Sequence, residues 1–188
     1  MATTSEVEIC NLALGELGVD PITSLTDDTS KRAQECNRKY GPSRDSILQS
    51  HDWHWARKRV ALNLETATPA FGFSYQYSLP VDFLKVVETS PEGMTFKITG
   101  NVLECNETAV KILYVARITD PSAFSPLFVD ALTFKLAERM AKSLTGDLNL
   151  KQIMQGRYNE LFGMSANRDS TSDTPVEYRS DNLLVVRW

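Results

Sequence analysis

This 188-residue chain has few histidines and few cysteines, and it has no excess of basic residues. Each of these features argues against a class of function. The chain has only two histidines and three cysteines, and Cys10, Cys36 and Cys105 lie far apart. This odd number predicts buried free thiols in a reducing cytosol, not a disulfide framework. Lys and Arg number 20 against 24 Asp and Glu, which argues against nucleic-acid wrapping by the body of the protein.

Targeting and membrane signals are missing as well. The opening residues, Met1-Ala-Thr-Thr-Ser-Glu6, are polar and lack the apolar core of a signal peptide. No stretch approaches the roughly 18 apolar residues that a membrane helix requires. We therefore expect no membrane contact. A hydrophobic content of 42% favours one globular domain, alone or with a small insert.

The common motifs of catalysis and metal binding are absent too: there is no glycine-rich phosphate loop, no Cys-x-x-Cys and no His-Glu-x-x-His. His51 and His54 lie beside Trp53 and Trp55, but zinc needs three or four ligands. We expect no metal and no cofactor, and we interpret this cluster as a hydrophobic hinge between a helix and a strand. Asp82 and four nearby glutamates (Glu88, Glu92, Glu104 and Glu107) keep open one alternative, glycan hydrolysis by a pair of acids.

Helical periodicity marks the N-terminal part, residues 1–54. Ser5 and Glu8 have capping-box spacing before a helix that Gly18 ends. A second helix follows, and Pro42 in its path predicts a kink or two abutting helices.

Helical periodicity returns in residues 119–167. Ser125 and Pro126 predict the start of a third helix, and Asp147 predicts the cap of a fourth that ends near Ala166. The apolar positions predict that the fourth helix buries Leu150, Ile153, Met154, Tyr158, Leu161 and Phe162.

Between these parts, residues 55–118 contain short alternating runs typical of strands, with a hairpin turn at Thr99-Gly100-Asn101. The predicted fold class is α+β: a four-helix bundle with an inserted small antiparallel β lobe and an extended C-terminal arm.

The first of the strand-like runs in residues 55–118 contains the one sequence cluster of basic residues, Arg57, Lys58 and Arg59. Arg57 and Arg59 share a strand face, so they could contact DNA phosphates or acids of a partner. A solvated strand face is the simpler interpretation.

The C-terminal segment, residues 168–188, carries the most informative pattern. A polar linker precedes an apolar run, and fully burying one Val or Leu contributes roughly 1.5–3 kcal/mol. We expect this segment to dock on another polypeptide, although an edge strand on its own domain is the alternative. The predicted contact residues are Tyr178, Leu183, Leu184, Val185, Val186, Arg187 and Trp188.

The order of several segments is similar to that of a known family. These segments are Glu8-Ile-Cys-Asn-Leu-Ala-Leu-Gly-Glu-Leu-Gly18, Arg44-Asp-Ser-Ile-Leu48, His51-Asp-Trp-His-Trp-Ala-Arg57, Tyr77-Ser-Leu-Pro-Val-Asp-Phe-Leu84 and Thr145-Gly-Asp147. Over residues 6–167 the chain resembles the head-to-tail adaptor proteins of short-tailed bacteriophages, the tail tubular protein A group. Trp-x-Trp-Ala and Leu-Pro-x-Asp-Phe are the most specific parts.

The resemblance implies a structural protein of the virion, made in the bacterial cytoplasm, that forms a ring of usually twelve copies at the head-to-tail interface. Such a ring joins the portal protein to the tail nozzle protein and lets DNA pass without sequence-specific binding. The C-terminal arm would grip the portal, and no catalytic residue is implied. Twelve copies at −4 each, a total of 12 × −4 = −48, would give an acidic conduit that repels phosphate. A glycan-degrading enzyme and a small monomeric binding module remain alternatives.

Overall fold

A computed structural model describes residues 5–170, and within them four α-helices and seven β-strands form the fold. The helices are α1 (Glu6–Glu16), α2 (Lys31–Ser50), α3 (Pro126–Leu144) and α4 (Leu148–Ser170). The strands are β1 (Arg57–Ala61), β2 (Asn63–Leu64), β3 (Tyr75–Ser78), β4 (Phe83–Ser90), β5 (Phe96–Thr99), β6 (Val102–Cys105) and β7 (Lys111–Ala116).

The predicted helix caps are confirmed. The Ser5 hydroxyl accepts a hydrogen bond from the Glu8 amide at 3.1 Å, and the Ser125 hydroxyl accepts one from the Phe128 amide at 3.3 Å. The Asp147 carboxylate accepts from two amides of the first turn of α4. Each cap satisfies amides that have no partner within the helix, so these residues fix where the helices begin.

One continuous helix spans Pro42, so the prediction of two abutting helices is wrong. Pro42 has no amide hydrogen to donate to the carbonyl four residues back. One residue on, the Ser43 hydroxyl donates to the Lys39 carbonyl at 2.7 Å, inside the same turn. Buried residues on both sides of Pro42, including Tyr40 and Ile47, hold the helix in the core, and this packing outweighs the cost of the proline.

Helix α3 is the centre of the helical part, because it packs against α1, α2 and α4. The helical core around it includes Ile9, Leu14, Cys36, Ile47, Leu48, Trp53, Phe128, Leu132, Leu136 and Met140.

The strands form two antiparallel sheets within the described residues. The first sheet has the order β1-β7-β4, and the second has the order β2-β3-β6-β5. The hairpin between β5 and β6 turns at Gly100, whose φ of 62° lies in the left-handed region that glycine adopts readily, as predicted.

The central strand β7 takes part in both hydrophobic cores. Ile112, Tyr114 and Ala116 belong to the core between the two sheets, whereas Val115 belongs to the helical core. Leu84 and Val87 of β4 also pack against the helical core. The arrangement is therefore helices, then the first sheet, then the second sheet.

This arrangement corrects the predicted fold class. Over the described residues the fold is α+β with 47% helix and 20% strand, and it is not a four-helix bundle with a small β lobe. The reason is that the first sheet packs directly on the helices and supplies part of their core. Residues 171–188 of the predicted C-terminal arm lie outside the described residues, and α4 continues to Ser170 instead of ending near Ala166.

The prediction that Ile153 is buried is also wrong, since its side chain is 57% exposed. Met154, the next residue, is buried against the helical core, and Tyr158 and Phe162 follow it at helical spacing. Leu150 also packs against the helical core, so the stripe of α4 that faces the core passes beside Ile153.

Candidate functional site

The predicted portal-contact residues, Tyr178 and those from Leu183 to Trp188, lie outside the described residues. What the structure does describe is the point from which this segment departs. Asp169, in the last turn of α4, accepts a hydrogen bond from the His54 amide at 3.0 Å and lies 3.3 Å from His51 Nε2. The His51 and Asp169 side chains are both largely buried. The end of α4 is thereby fixed to the chain just before β1.

The histidine–tryptophan segment is a packed joint between the helices and the first sheet. The Trp53 ring is buried and lies 5.3 Å from the Phe128 ring and 6.1 Å from the Phe162 ring, both at steep angles. Its indole nitrogen donates to the Ile47 carbonyl at 3.0 Å. Trp55 also packs edge-on against Phe128, at 5.0 Å, and lies 6.2 Å from Trp53. The contacts among these three rings join the helices to the segment that leads into β1.

This cluster does not assemble a set of metal ligands. Residues 5–170 contain no group of three or more His, Cys, Asp or Glu side chains placed to hold a metal ion. His51 has one carboxylate neighbour, Asp169, and the indole of Trp53 packs edge-on against its ring at 4.8 Å. The contacts of this segment are those of a structural joint.

The predicted basic strand is β1, an edge of the first sheet. Arg57 and Arg59 lie opposite Val115 and Leu113 of β7, so they share the face that turns toward the helices. Lys58 lies on the other face and forms an ion pair with Asp82 at 2.6 Å. The three basic side chains therefore do not form one patch.

Arg59 borders an open groove of about 300 Å³ at the end of the first sheet that the helices leave uncovered. Lys111 and Glu88 border the same groove. Within the described residues, these three side chains make no ion pair. Two cations and one carboxylate give the groove a mixed character, which favours neither phosphate nor a purely acidic partner.

Asp82, one of the five carboxylates considered for hydrolysis, has a structural role. It accepts hydrogen bonds from Lys58 at 2.6 Å and from the Tyr114 hydroxyl at 2.9 Å. Burial acts to raise the pKa of Asp82, but these two hydrogen bonds outweigh it and hold the pKa below its ordinary value. A carboxylate kept ionised in this way is poorly suited to donate a proton.

The other carboxylates are divided between grooves. Glu88 and Glu92 line one groove of about 650 Å³ together with Met94 and Phe96. Glu104 lines a different groove of about 280 Å³ beside Phe71. The structure thus brings together one pair of the predicted acids, in an open groove with an apolar floor.

Several large apolar side chains are exposed among the described residues. A first group, defined by its position on the helices α1 and α4, consists of Leu12, Leu148, Ile153 and Met164. A second group, on the strands and loops, consists of Leu64, Phe71, Val81 and Ile98. Phe71 is 85% exposed and Val81 is 93% exposed, so each ring or methyl pair is almost fully in solvent and available for contact with another protein.

A groove of about 420 Å³ accompanies the first group. Phe134, Ile153, Met154 and Leu161 supply its apolar lining, and Glu16 and Glu160 lie at its border. Sequence periodicity placed these apolar residues inside the core, so it missed the surface that they form.

A polar network between α2 and α3 was also missed. Glu35 is only 5% exposed, pairs with Arg38, and lies 2.5 Å from Lys39 Nζ. The Ser143 hydroxyl donates to Glu35 at 2.6 Å. Lys39 in turn donates to the Arg139 carbonyl at 2.7 Å, and the Arg139 guanidinium donates to the Ser43 hydroxyl at 3.0 Å.

We call the outer side of this network the α2–α3 basic face, defined by Arg38, Lys39, Arg139 and Lys142. Burial lowers the pKa of Lys39, and the positive charges of Arg38 and Arg139 lower it further. In the sequence these four residues are dispersed over two helices a hundred positions apart, which is why no basic run revealed them.

No helix in the described part of the chain is both long enough and apolar enough to cross a bilayer. Comparison with known proteins gave no matching family model and no matching curated protein.

Proposed function

We propose that this chain is a structural head-to-tail adaptor of a short-tailed bacteriophage, which forms a ring, of twelve copies in the resembled family, between the portal protein and the tail nozzle protein. In this proposal the protein is part of the virion, has no catalytic turnover, and continues the channel through which DNA leaves.

The observation that supports the proposal is the exposure of large apolar side chains on two different parts of the chain. A subunit of a ring contacts its two neighbours through two different surfaces, because the contact is head-to-tail. Ile153 on α4 is 57% exposed, and Phe71 and Val81 in the loops of the sheets are 85% and 93% exposed, so both parts offer apolar contacts to a neighbour.

The positions of the resemblance motifs support the same proposal. Trp53, Trp55 and Ala56 join the helical core to β1, and Leu79 and Phe83 lie on either side of the turn from β3 to β4. These motifs therefore hold the three layers together, so the resemblance falls on residues that determine this architecture. The alternative of glycan hydrolysis has less support, because Asp82 is committed to Lys58 and Tyr114.

Deletion of residues 176–188 tests the proposed portal contact. Loss of several buried Leu and Val side chains at roughly 1.5–3 kcal/mol each should weaken portal binding by at least about a hundredfold. Binding is measured by co-sedimentation with the portal protein, and rings are counted by electron microscopy. The truncated chain should keep the circular dichroism spectrum of the full chain, since residues 5–170 contain both cores.

The full-length Phe71→Ser variant is a control that distinguishes contacts between subunits of the ring from the contact with the portal protein. It removes a large apolar side chain from the surface without disturbing a core. We expect it to reduce ring formation among subunits more than attachment of a single subunit. A truncated chain that binds the portal as tightly as the full-length chain would contradict the proposal.

A further inference from the structure

The charges of this acidic protein are strongly segregated. Helices α2 and α3 together contain eight Lys and Arg and four Asp and Glu, a net charge of +4. The rest of the chain contains the remaining twelve basic and twenty acidic residues of the totals 20 and 24, a net charge of −8. A surface of opposite sign to the whole protein indicates a specific anionic partner.

On α2 and α3, most of the positive charge that ion pairs leave unneutralised lies on the α2–α3 basic face. Arg32 is near Asp20, Arg44 is paired with Asp45, and Lys135 is paired with Glu138. By contrast, Arg139 and Lys142 have no carboxylate within 4.0 Å among the described residues. Glu35 alone offsets Arg38 and Lys39.

Two of these cations are held in place by the network beneath them. Lys39 donates to the Arg139 carbonyl and to the Ser143 hydroxyl at 3.0 Å, and the Arg139 guanidinium is fixed by Ser43. Lys142 is one helical turn after Arg139 and is exposed, as is Arg38. Fixed cations lose less conformational entropy when an anion binds than free ones do.

The face suits a phosphate chain better than a protein partner. Protein interfaces are enriched in exposed aromatic and large apolar side chains at their centre and depleted in lysine. All the large apolar side chains that are exposed in the described residues lie outside α2 and α3. The grooves described above are bordered by other residues.

We propose that Arg38, Lys39, Arg139 and Lys142 form a contact surface for the phosphate backbone of duplex DNA, independent of base sequence. The inference rests on the proposed adaptor role for its setting, because it assigns the side of the subunit that faces the passing DNA. It replaces the expectation, drawn from net charge alone, of a conduit that repels phosphate, because the positive charge is concentrated on α2 and α3. It places that side on α2 and α3 instead of on the basic strand β1, where Lys58 is neutralised by Asp82.

The test is fluorescence anisotropy of a short labelled DNA duplex with the full chain, free and in the portal-bound ring, over a series of salt concentrations. The double variant Arg38→Gln, Lys142→Gln changes only exposed side chains of the face. We expect it to bind duplex about tenfold more weakly, with the slope of log K against log salt reduced by about 2, because two phosphate contacts are lost.

The matched control is Lys97→Gln, Lys111→Gln, which removes the same charge from exposed positions on the two sheets. We expect it to change DNA affinity less than about twofold. The inference is overturned if the wild-type chain fails to bind duplex, if both variants weaken binding equally, or if the basic-face variant binds as the wild type does.

Co-sedimentation with the portal protein separates this inference from the adaptor role. A basic-face variant that still attaches to the portal but has lost DNA affinity supports the inference. A variant that loses attachment and keeps DNA affinity shows that the face docks a protein, which overturns it. Failure of DNA binding with normal attachment leaves the adaptor proposal standing.

Discussion

The two hydrophobic cores of the described chain are built differently. The helical core surrounds Trp53, whose ring packs on Phe128, and its interior is filled by apolar contacts. The core between the sheets contains Tyr77 and Tyr114, whose hydroxyls reach the Glu107 carbonyl at 2.7 Å and the Asp82 carboxylate at 2.9 Å. The helical core thus depends on the fit of rings and methyl groups, whereas the core between the sheets also depends on hydrogen bonds at its rim.

The largest effect is expected from Trp53→Ala. The substitution empties the joint between the helices and the first sheet, and it should lower the free energy of unfolding by about 3–5 kcal/mol. Urea denaturation followed by circular dichroism measures the loss. Trp53→Phe keeps much of the ring contact with Phe128, so it should lower the free energy of unfolding clearly less than Trp53→Ala does. Equal losses for the two variants would show that ring fit is not what stabilises this core.

A smaller loss is expected from Leu103→Ala in the core between the sheets. Leu103 is fully buried between Tyr77 and Ile98 on its neighbouring strands, and its truncation should lower the free energy of unfolding by about 3 kcal/mol. Val81→Ala, at a site 93% exposed, should change it by less than about 0.5 kcal/mol. If the Leu103→Ala variant has the same free energy of unfolding as the wild type, the core between the sheets contributes little to the stability of the protein.

The smallest effect should depend on pH and come from Asp82→Asn. The pKa of Asp82 is lower in the folded state than in the unfolded state, so ionised Asp82 stabilises the fold at any pH above its unfolded-state pKa. This stabilisation is lost below about pH 4, as the pH falls through the folded-state pKa. At neutral pH the variant should be less stable by about 1 kcal/mol, a modest figure because the Lys58 partner is partly exposed. Denaturation at a series of pH values checks this difference, and a difference that persists undiminished in acid would contradict it.

Local features of the fold could be predicted from the sequence because each depends on a few neighbouring residues. The Ser5 and Ser125 caps, the Asp147 cap and the Gly100 turn all follow from one side chain or one φ angle. These signals give the position of an element in the chain.

Features that depend on distant partners could not be predicted. Alternation marks a strand but does not identify its neighbours, so the division into two sheets and the packing of the first sheet on the helices were missed. Ile153 has nearly the same helical spacing as the core residues of α4, and only the packing of α4 on its neighbours shows that it is exposed. The α2–α3 basic face joins Arg38 to Arg139 across a hundred positions, so no sequence window contains it.

The double membership of β7 has a mechanical consequence. Ile112 and Tyr114 on one face and Val115 on the other anchor a single strand in both interiors. In the described part of the chain the layers therefore cannot slide past one another, and a displacement of the second sheet also displaces the helices. A chain with this property transmits a load from one layer to the next without sliding between them.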